Sequence, residues 1–140
     1  MAGSALFSIE GTLTVTHCAP EKALIGSWTS MTSGKFREAL EKALGECGRL
    51  GALCWIVDLT GDPGVPSQAD LAWIQTVAAN LAKRNRIRAV INVHGASSIA
   101  TMGAKRWSKS ASDAGLSTFD CASIADALAL AAEVASGKAA

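Results

Sequence analysis

The stretch that decides the fold is CWIVDLTGDPGVPSQADLAWI, residues 54–74. An apolar run ends at Asp58, a turn rich in glycine and proline follows, and Ser67 then opens an amphipathic segment. A nearly continuous apolar run is typical of a central strand that is covered on both faces. A small polar residue before apolar residues at helical spacing is typical of a helix N-cap. The stretch therefore predicts a buried strand over Leu53–Leu59 and a helix over Ser67–Asn85.

Strands and helices alternate along the rest of the chain. Glu10 and Gly11 separate two short β-type runs, which predicts an N-terminal hairpin, and Gly26 is expected to weaken the next strand. Strands that are separated by helices pair in parallel. We therefore predict one α/β domain over residues 1–140, with a mixed sheet, an N-terminal hairpin and parallel βα units whose helices pack on the sheet. The other predicted strands cover 6–9, 13–17, 23–28, 87–94 and 117–121, and the other helices begin near 32, 97 and 123.

The composition is that of a globular protein and argues against several functions. The chain has 140 residues, 49% of them apolar and 18% charged, with a net charge of +1. This balance gives no basic field for nucleic acid, and no apolar run approaches the roughly 20 residues of a membrane span. The N-terminus lacks the pattern of a signal peptide, so a cytoplasmic location is expected. The four cysteines show no CxxC spacing and are expected to be free thiols.

Two carboxylates flank the turn after the central strand. Asp58 and Asp62 are candidates for Mg²⁺ binding, because receiver-type phosphoacceptor sites place carboxylates at a strand C-terminus. Those sites also need further acidic side chains and a later lysine, whereas the later strands here offer His94 and Asp120. The alternative interpretation is structural, with Asp58 capping the turn and Asp62 preceding Pro63 in a loop.

Ser67 and His94 begin the two segments that are best suited to binding. Ser67 is a predicted N-cap with Asp70 three residues later, and a phosphate on its hydroxyl would meet the positive end of the helix dipole. It is therefore a possible phosphosite or partner contact, or else a plain cap. His94 precedes a turn with Ser97 and Ser98, whose N–H groups and hydroxyls suit a small anion. No GxxxxGK[ST] loop is present, and an ordinary turn with a helix cap is the alternative.

Metal and catalytic signatures are lacking in the sequence. His17 and Cys18 are adjacent but have no ligand spacing to other residues, so we predict no metal and no cofactor. A GxSxG elbow is missing, which leaves His94 with Asp58 or a nearby serine as a minor enzymatic hypothesis. The basic segment AKRWSKS, residues 104–110, could contact an anionic partner, nucleic acid or a membrane surface, but it is interpreted as a solvated helix face with Trp107 half-buried.

Several segments together carry a family resemblance. Their order and pattern resemble the STAS-like domains, the family of bacterial anti-sigma factor antagonists, including the STAS/SEC14-like subgroup. The resemblance covers residues 5–135 and lies in pattern more than in signature. The segments are LIGSWTSMTSGKFREALEKAL (24–44), WIVDLTG (55–61), PSQADLAWIQTVAANL (66–81), IRAVINVHG (87–95), STFDC (117–121) and IADALALAAEV (124–134).

The resemblance implies a function in bacterial signal transduction. The family carries a turn like Asp-Ser-Ser-Gly-Leu before its second helix, and a partner kinase phosphorylates a serine there. This chain has GVPSQADL at residues 64–71, so Ser67 is the nearest positional match although the surrounding motif differs. The family implies a non-enzymatic regulatory or scaffolding module that binds a protein partner or itself. SEC14-like relatives imply the alternative, a sensor that holds a lipid or other apolar ligand between helices and sheet.

Overall fold

The mixed α/β fold predicted from the sequence is confirmed. The computed structural model describes residues 3–95 and 98–138, with the backbone alone for 98–100. The described strands form a six-stranded sheet in the order β1-β2-β3-β4-β5-β6, antiparallel from β1 to β3 and parallel from β3 to β6. The strands are β1 (Ser4–Ile9), β2 (Leu13–Cys18), β3 (Ala23–Trp28), β4 (Cys54–Asp58), β5 (Ala89–Val93) and β6 (Ser117–Cys121). The helices are α1 (Phe36–Leu50), α2 (Gln68–Trp73), a π-helix (Ile74–Ala78), α3 (Ala79–Arg84), α4 (Ser98–Asp113) and α5 (Ile124–Ala135).

The helices that connect parallel strands pack on one face of the sheet. Crossovers between parallel strands are right-handed, so strands added in one direction place successive helices on the same face. Here α1, the run from α2 to α3, and α4 pack against side chains such as Leu24, Val57 and Val90. Helix α5 follows the last strand and covers the opposite face, against Ile56 and Ile91. Because both faces are covered, β4 and β5 are apolar at nearly every position.

Helix α1 begins later than the predicted start near Thr32. Its N-cap is Lys35, which makes no side-chain cap hydrogen bond. Ser33, which lies in the predicted start, does not cap the helix, and its hydroxyl lies 2.6 Å from that of Thr12. The Met31 N–H donates to the carbonyl oxygen of Pro63 at 2.9 Å. These bonds hold residues 29–35 against neighbouring loops, so α1 begins only at Phe36.

The helix predicted over Ser67–Asn85 contains a π-helical turn. A π-helix has more residues per turn than an α-helix, so residues beyond it are rotated relative to α-helical spacing. The helical spacing predicts a buried stripe of Leu71, Ile74, Val77, Ala78 and Leu81, and this prediction is wrong at Val77, which is 39% exposed. Beyond the π-helix the buried residues of α3 are Ala79 and Ala82. The rotation therefore turns small side chains toward the sheet. Within the predicted stripe, Ile74 and Ala78 are buried.

Gly26 has a packing role that the sequence did not reveal. The strand around it forms in full, with Gly26 opposite Val15 and Val57. A Cβ atom at this position would overlap the ring of Trp55. The glycine therefore provides the space in which the indole lies across the sheet.

The cysteines are free, as the sequence predicts. Cys18, Cys47 and Cys54 are buried and Cys121 is half-buried. Burial raises the pKa of the Cys54 thiol to about 11, and burial raises the pKa of Cys47 still further. These buried thiols stay protonated at neutral pH and behave as small apolar side chains. Within the described residues, no helix is long and apolar enough to cross a membrane.

Candidate functional site

Ser67 caps α2, and its cap continues into a contact with α1. The Ser67 hydroxyl accepts a hydrogen bond of 3.1 Å from the Asp70 N–H. The Asp70 carboxylate in turn accepts a hydrogen bond of 2.7 Å from Arg37 Nε. The Arg37 guanidinium lies 5.8 Å from the ring centroid of Trp73, within cation–π range. The predicted Ser67 and Asp70 are therefore brought together, and Arg37 fixes them from a neighbouring helix.

Ser67→Ala is expected to lower the free energy of unfolding by about 1 kcal/mol, because the Asp70 N–H loses its acceptor. Ser67→Asp keeps an acceptor and should lose less. Urea unfolding measures both values. Ser123→Ala is the matched control, since Ser123 accepts from the Asp126 N–H at 3.1 Å in the same geometry. A loss for Ser123→Ala without one for Ser67→Ala would show that the Ser67 cap does not stabilise α2.

A groove of about 260 Å³ runs beside Ser67, between the start of α2 and helix α4. Met102 on its α4 side is 62% exposed, which is unusual for a large apolar side chain. Gly103 permits the close approach of the two walls, because a Cβ there would crowd the side chain of Val65. The groove thus combines apolar side chains with a cationic one. Its lining comprises Val65, Pro66, Gln68, Leu71, Met102, Gly103 and Arg106.

His94 is held by contacts on both ring nitrogens. Its Nε2 lies 2.6 Å from Oδ1 of Asp120, and its Nδ1 lies 3.5 Å from the Thr101 hydroxyl. Thr101 precedes Met102 in α4, so His94 lies near the end of the groove without lining it. A hydroxyl at 3.5 Å is long for a hydrogen bond to an imidazole. Among the described side chains, the geometry orients the ring without presenting a nucleophile that it activates.

A buried polar network fastens α4 to β5. Asn92 is fully buried, and its Oδ1 accepts a hydrogen bond of 2.8 Å from Trp107 Nε1. Its Nδ2 donates to the Ser108 hydroxyl at 2.9 Å and to Asp120 Oδ1 at 3.4 Å. Trp107 is therefore 7% exposed, and the prediction that it is half-buried is wrong. Its indole N–H can be buried because Asn92 supplies an acceptor inside the protein.

The two carboxylates of the turn after β4, Asp58 and Asp62, have different surroundings. Asp58 accepts hydrogen bonds from the Ser27 hydroxyl at 3.1 Å, from the Thr60 N–H at 3.0 Å and from the Thr60 hydroxyl at 2.7 Å. Asp62 is exposed in a left-handed conformation with φ of 54°. Asp58 thus caps its turn, while His94 pairs with Asp120 instead. In the described ranges, no three His, Cys, Asp or Glu side chains lie close enough to hold a metal ion.

The predicted anion-binding turn is described only in part. Ser97 lies outside the described residues, and Ser98 begins α4 with a side chain that also lies outside them. Gly95 approaches the turn after β4, since a Cβ there would lie 3.1 Å from Cα of Thr60. The turn after β5 therefore packs against the turn that Asp58 caps.

An apolar cavity of about 60 Å³ lies between the sheet and the helices of the first face. Trp28 stacks on Phe36 at its wall, with ring centroids 5.1 Å apart. Trp28 is 3% exposed, and its indole Nε1 has no hydrogen-bond acceptor among the described residues. The lining is apolar throughout and comprises Trp28, Met31, Phe36, Leu40, Leu44, Trp55, Val57, Ile74, Ala78, Ala79, Ala82, Val90, Trp107, Ala111 and Leu116.

On the α4 side of the groove, the sequence offered the basic segment around Arg106 as a possible partner contact but did not single out Met102. Met102 and Arg106 are four residues apart, so both lie on one helix face. The sequence does place Met102 on the same helix face as Arg106 of the basic segment. Which element packs beside that face depends on how the chain crosses over from β5 to β6. Asn92 was also missed, because a single polar residue in an apolar strand gives no indication of its partners.

Comparisons with protein-family models, with curated proteins and with solved structures found no match for this chain. The resemblance to STAS-like domains therefore rests on the order and pattern of the sequence segments.

Proposed function

We propose that this chain is a non-enzymatic regulatory or scaffolding module that docks a protein partner in the groove beside Ser67. The observation that supports it is the exposed apolar surface around Met102, which lies in a concavity with Leu71 and Val65. Contiguous apolar surface at a groove marks interaction sites. Methionine adapts its shape to different side chains, so it is well suited to a docking surface.

The charges around the groove select the chemistry of the partner. Arg106 lines it, and no carboxylate belongs to its described lining. An acidic side chain on the partner would pair with this guanidinium, and apolar anchors would fill the space along Leu71 and Met102. The proposed occupant is therefore a segment of another protein that carries apolar side chains beside an Asp or Glu.

Ser67 is the proposed point of control. It is exposed, and its neighbours Pro66 and Gln68 both line the groove. A phosphate there would add a charge of about −1.5 to −2 next to Asp70. That charge would repel an acidic partner at the rim. Phosphorylation is therefore proposed to release the partner. The resemblance to bacterial anti-sigma factor antagonists suggests only that a kinase modifies a serine at this position.

No catalytic step is assigned to the site. His94 is oriented by Asp120, and Asp58 is occupied by capping bonds, so the two have distinct partners. The proposed role needs neither a cofactor nor a metal. We place the module in the cytoplasm, where reducing conditions keep thiols such as Cys54 and Cys121 free.

Selection from a displayed library of random linear peptides tests this proposal. We expect enriched sequences to share two apolar residues and an acidic one, and to bind the purified protein at micromolar concentrations. Arg106→Glu should reverse the charge preference, so that peptides with Lys or Arg are enriched instead. Enrichment of peptides whose binding is unaffected by substitutions in the groove would contradict the proposal, as would no enrichment.

The second candidate function is sensing of a small apolar ligand. The cavity between sheet and helices favours it, because its lining is apolar. Native mass spectrometry of the purified protein tests whether any small ligand is bound. A small adduct that survives purification would support sensing.

A further inference from the structure

We propose that one edge of the sheet binds the surface of anionic lipid bilayers through the phosphates of the lipid headgroups. This is the edge at which the parallel strands β3 to β6 begin. It is called the basic edge and is defined by five exposed cations: Lys22, Lys83, Arg84, Arg86 and Arg88. None of them lines the groove beside Ser67, so the proposal goes beyond partner docking and is independent of it.

The register of the strands brings these cations to the same edge. Lys22 directly precedes β3 and Arg88 directly precedes β5, and the first residues of β3, β4 and β5 are paired in register. The backbones of Lys22 and Arg88 are therefore about 10 Å apart, which is two inter-strand spacings. The ammonium group of Lys83 lies near the start of β6, because a Cβ at Gly115 would be 3.5 Å from its Nζ. The other two arginines lie at the end of α3 and just after it. The cations thus extend along the edge from β3 to β6.

The cations of the basic edge are available to a ligand. Among the described residues, the ion pairs involve none of them. Glu21 precedes Lys22 and offsets part of the charge, so the edge stays strongly positive. Lys22 and Arg86 also adopt left-handed backbone conformations, with φ of 52° and 66°. Glycine adopts these conformations at a lower cost than other residues, and strain of this kind concentrates at functional sites. Cations at two positions that favour glycine indicate a use for their charge.

The net charge of +1 averages over two edges of opposite charge. No Asp or Glu occurs in the sequence between Asp70 and Asp113, the stretch that contains every cation of the basic edge except Lys22. At the opposite edge, where β4 and β6 end, the carboxylates of Asp58 and Asp120 are found. A strand of 5 residues spans about 16 Å, twice the Debye length of about 8 Å at physiological ionic strength. The acidic edge therefore does not cancel the attraction of an anionic surface to the basic edge.

A bilayer fits this charge distribution better than nucleic acid does. Domains that bind nucleic acid usually have a large excess of positive charge, and none of the residues that define the basic edge is an aromatic on which bases could stack. The cytoplasmic leaflet has a negative surface potential that attracts clusters of Lys and Arg. A nearly neutral protein with one basic edge is oriented by such a surface, because its acidic edge then faces away. The exposed large apolar side chains of the described chain, Val77 and Met102, do not belong to this edge, so the binding is electrostatic and superficial.

Sedimentation with lipid vesicles tests the proposal. We expect the full chain to bind phosphatidylcholine vesicles that contain about 30% phosphatidylserine, half-maximally at roughly 0.1–1 mM accessible lipid, and not to bind phosphatidylcholine alone. Lys22→Gly combined with Arg86→Gly should weaken this binding by about 25-fold, roughly 5-fold for each cation removed. Glycine suits both backbone conformations, so this variant should keep its fold, which urea unfolding checks.

Lys35→Gln combined with Lys105→Gln is the matched control, since both lysines are exposed and lie outside the basic edge. It removes the same charge and should change vesicle binding by less than about 2-fold. An equal loss in this control would overturn the proposal, because net charge and not the basic edge would then drive binding. Absence of binding by the unaltered protein to the anionic vesicles would also overturn it. Tighter binding to a DNA duplex of about 20 base pairs than to vesicles, lost in the glycine variant, would assign the edge to nucleic acid instead. The glycine variant keeps every groove residue, so peptide binding tests the proposed function separately.

Discussion

Asn92→Leu is expected to lower the free energy of unfolding by about 2–4 kcal/mol, more than any surface substitution. Leucine has the same branched shape as asparagine but larger terminal groups, so crowding in the core adds to the loss. The change removes the acceptor of the Trp107 indole N–H and the donor to Ser108, and both groups then lie beside an apolar side chain. Leaving a buried donor without a partner costs the full desolvation of that group. Chemical denaturation of purified protein measures the effect.

A double-mutant cycle separates this hydrogen bond from general packing. Trp107→Phe removes the donor and leaves Asn92 without it. The double variant should lose less unfolding free energy than the two single losses add up to, by about 1 kcal/mol or more. The reason is that no indole N–H is then left without an acceptor. Strict additivity of the two losses would show that the Asn92–Trp107 bond does not fasten α4 to β5.

Met102→Glu is expected to weaken binding of a groove-selected acidic peptide by about 30-fold or more, equivalent to about 2 kcal/mol. The substitution removes the most exposed large apolar side chain of the groove and adds a charge that repels the peptide. Calorimetric titration with one synthetic peptide measures the affinity. The variant should fold normally, because the Met102 side chain contributes little to the core.

Ser112→Glu is the matched control for this substitution. It adds the same charge at an exposed position of α4 that does not line the groove. We expect the peptide to bind this variant within about 2-fold of the unaltered protein, since exposed charges beyond a Debye length are screened. Equal weakening by both substitutions would indicate a general charge effect and not docking beside Met102.

Much of the sheet could be predicted because its residues carry local signals. The apolar runs of β4 and β5 indicate strands covered on both faces, and structure bears this out at Ile56 and Ile91. The caps at Ser67 and Ser123 were also predictable, since an N-cap depends on a hydroxyl and a backbone N–H three residues later. These features need only neighbours in sequence.

The rest could not be predicted because it depends on contacts between distant segments. The π-helix at Ile74–Ala78 changes the phase of the helix after Trp73, so Val77 is exposed against the periodic pattern. Likewise the partner of His94 is Asp120 and not Asp58, because parallel pairing brings the ends of β5 and β6 together. The groove arises only when α4 lies next to α2. Sequence therefore identified Ser67 at its rim but not Met102 in its wall.

The docking of a partner segment beside Ser67 is tested most directly by paramagnetic relaxation enhancement. A groove-selected peptide is labelled with a nitroxide at its end and added to ¹⁵N-labelled protein. We predict that the amide signals of Leu71, Met102 and Gly103 broaden, while those of α5 on the opposite face of the sheet, such as Ala131, keep their intensity. Broadening centred on α5 or on the edge strand β1, with the groove signals unchanged, would contradict the proposed function.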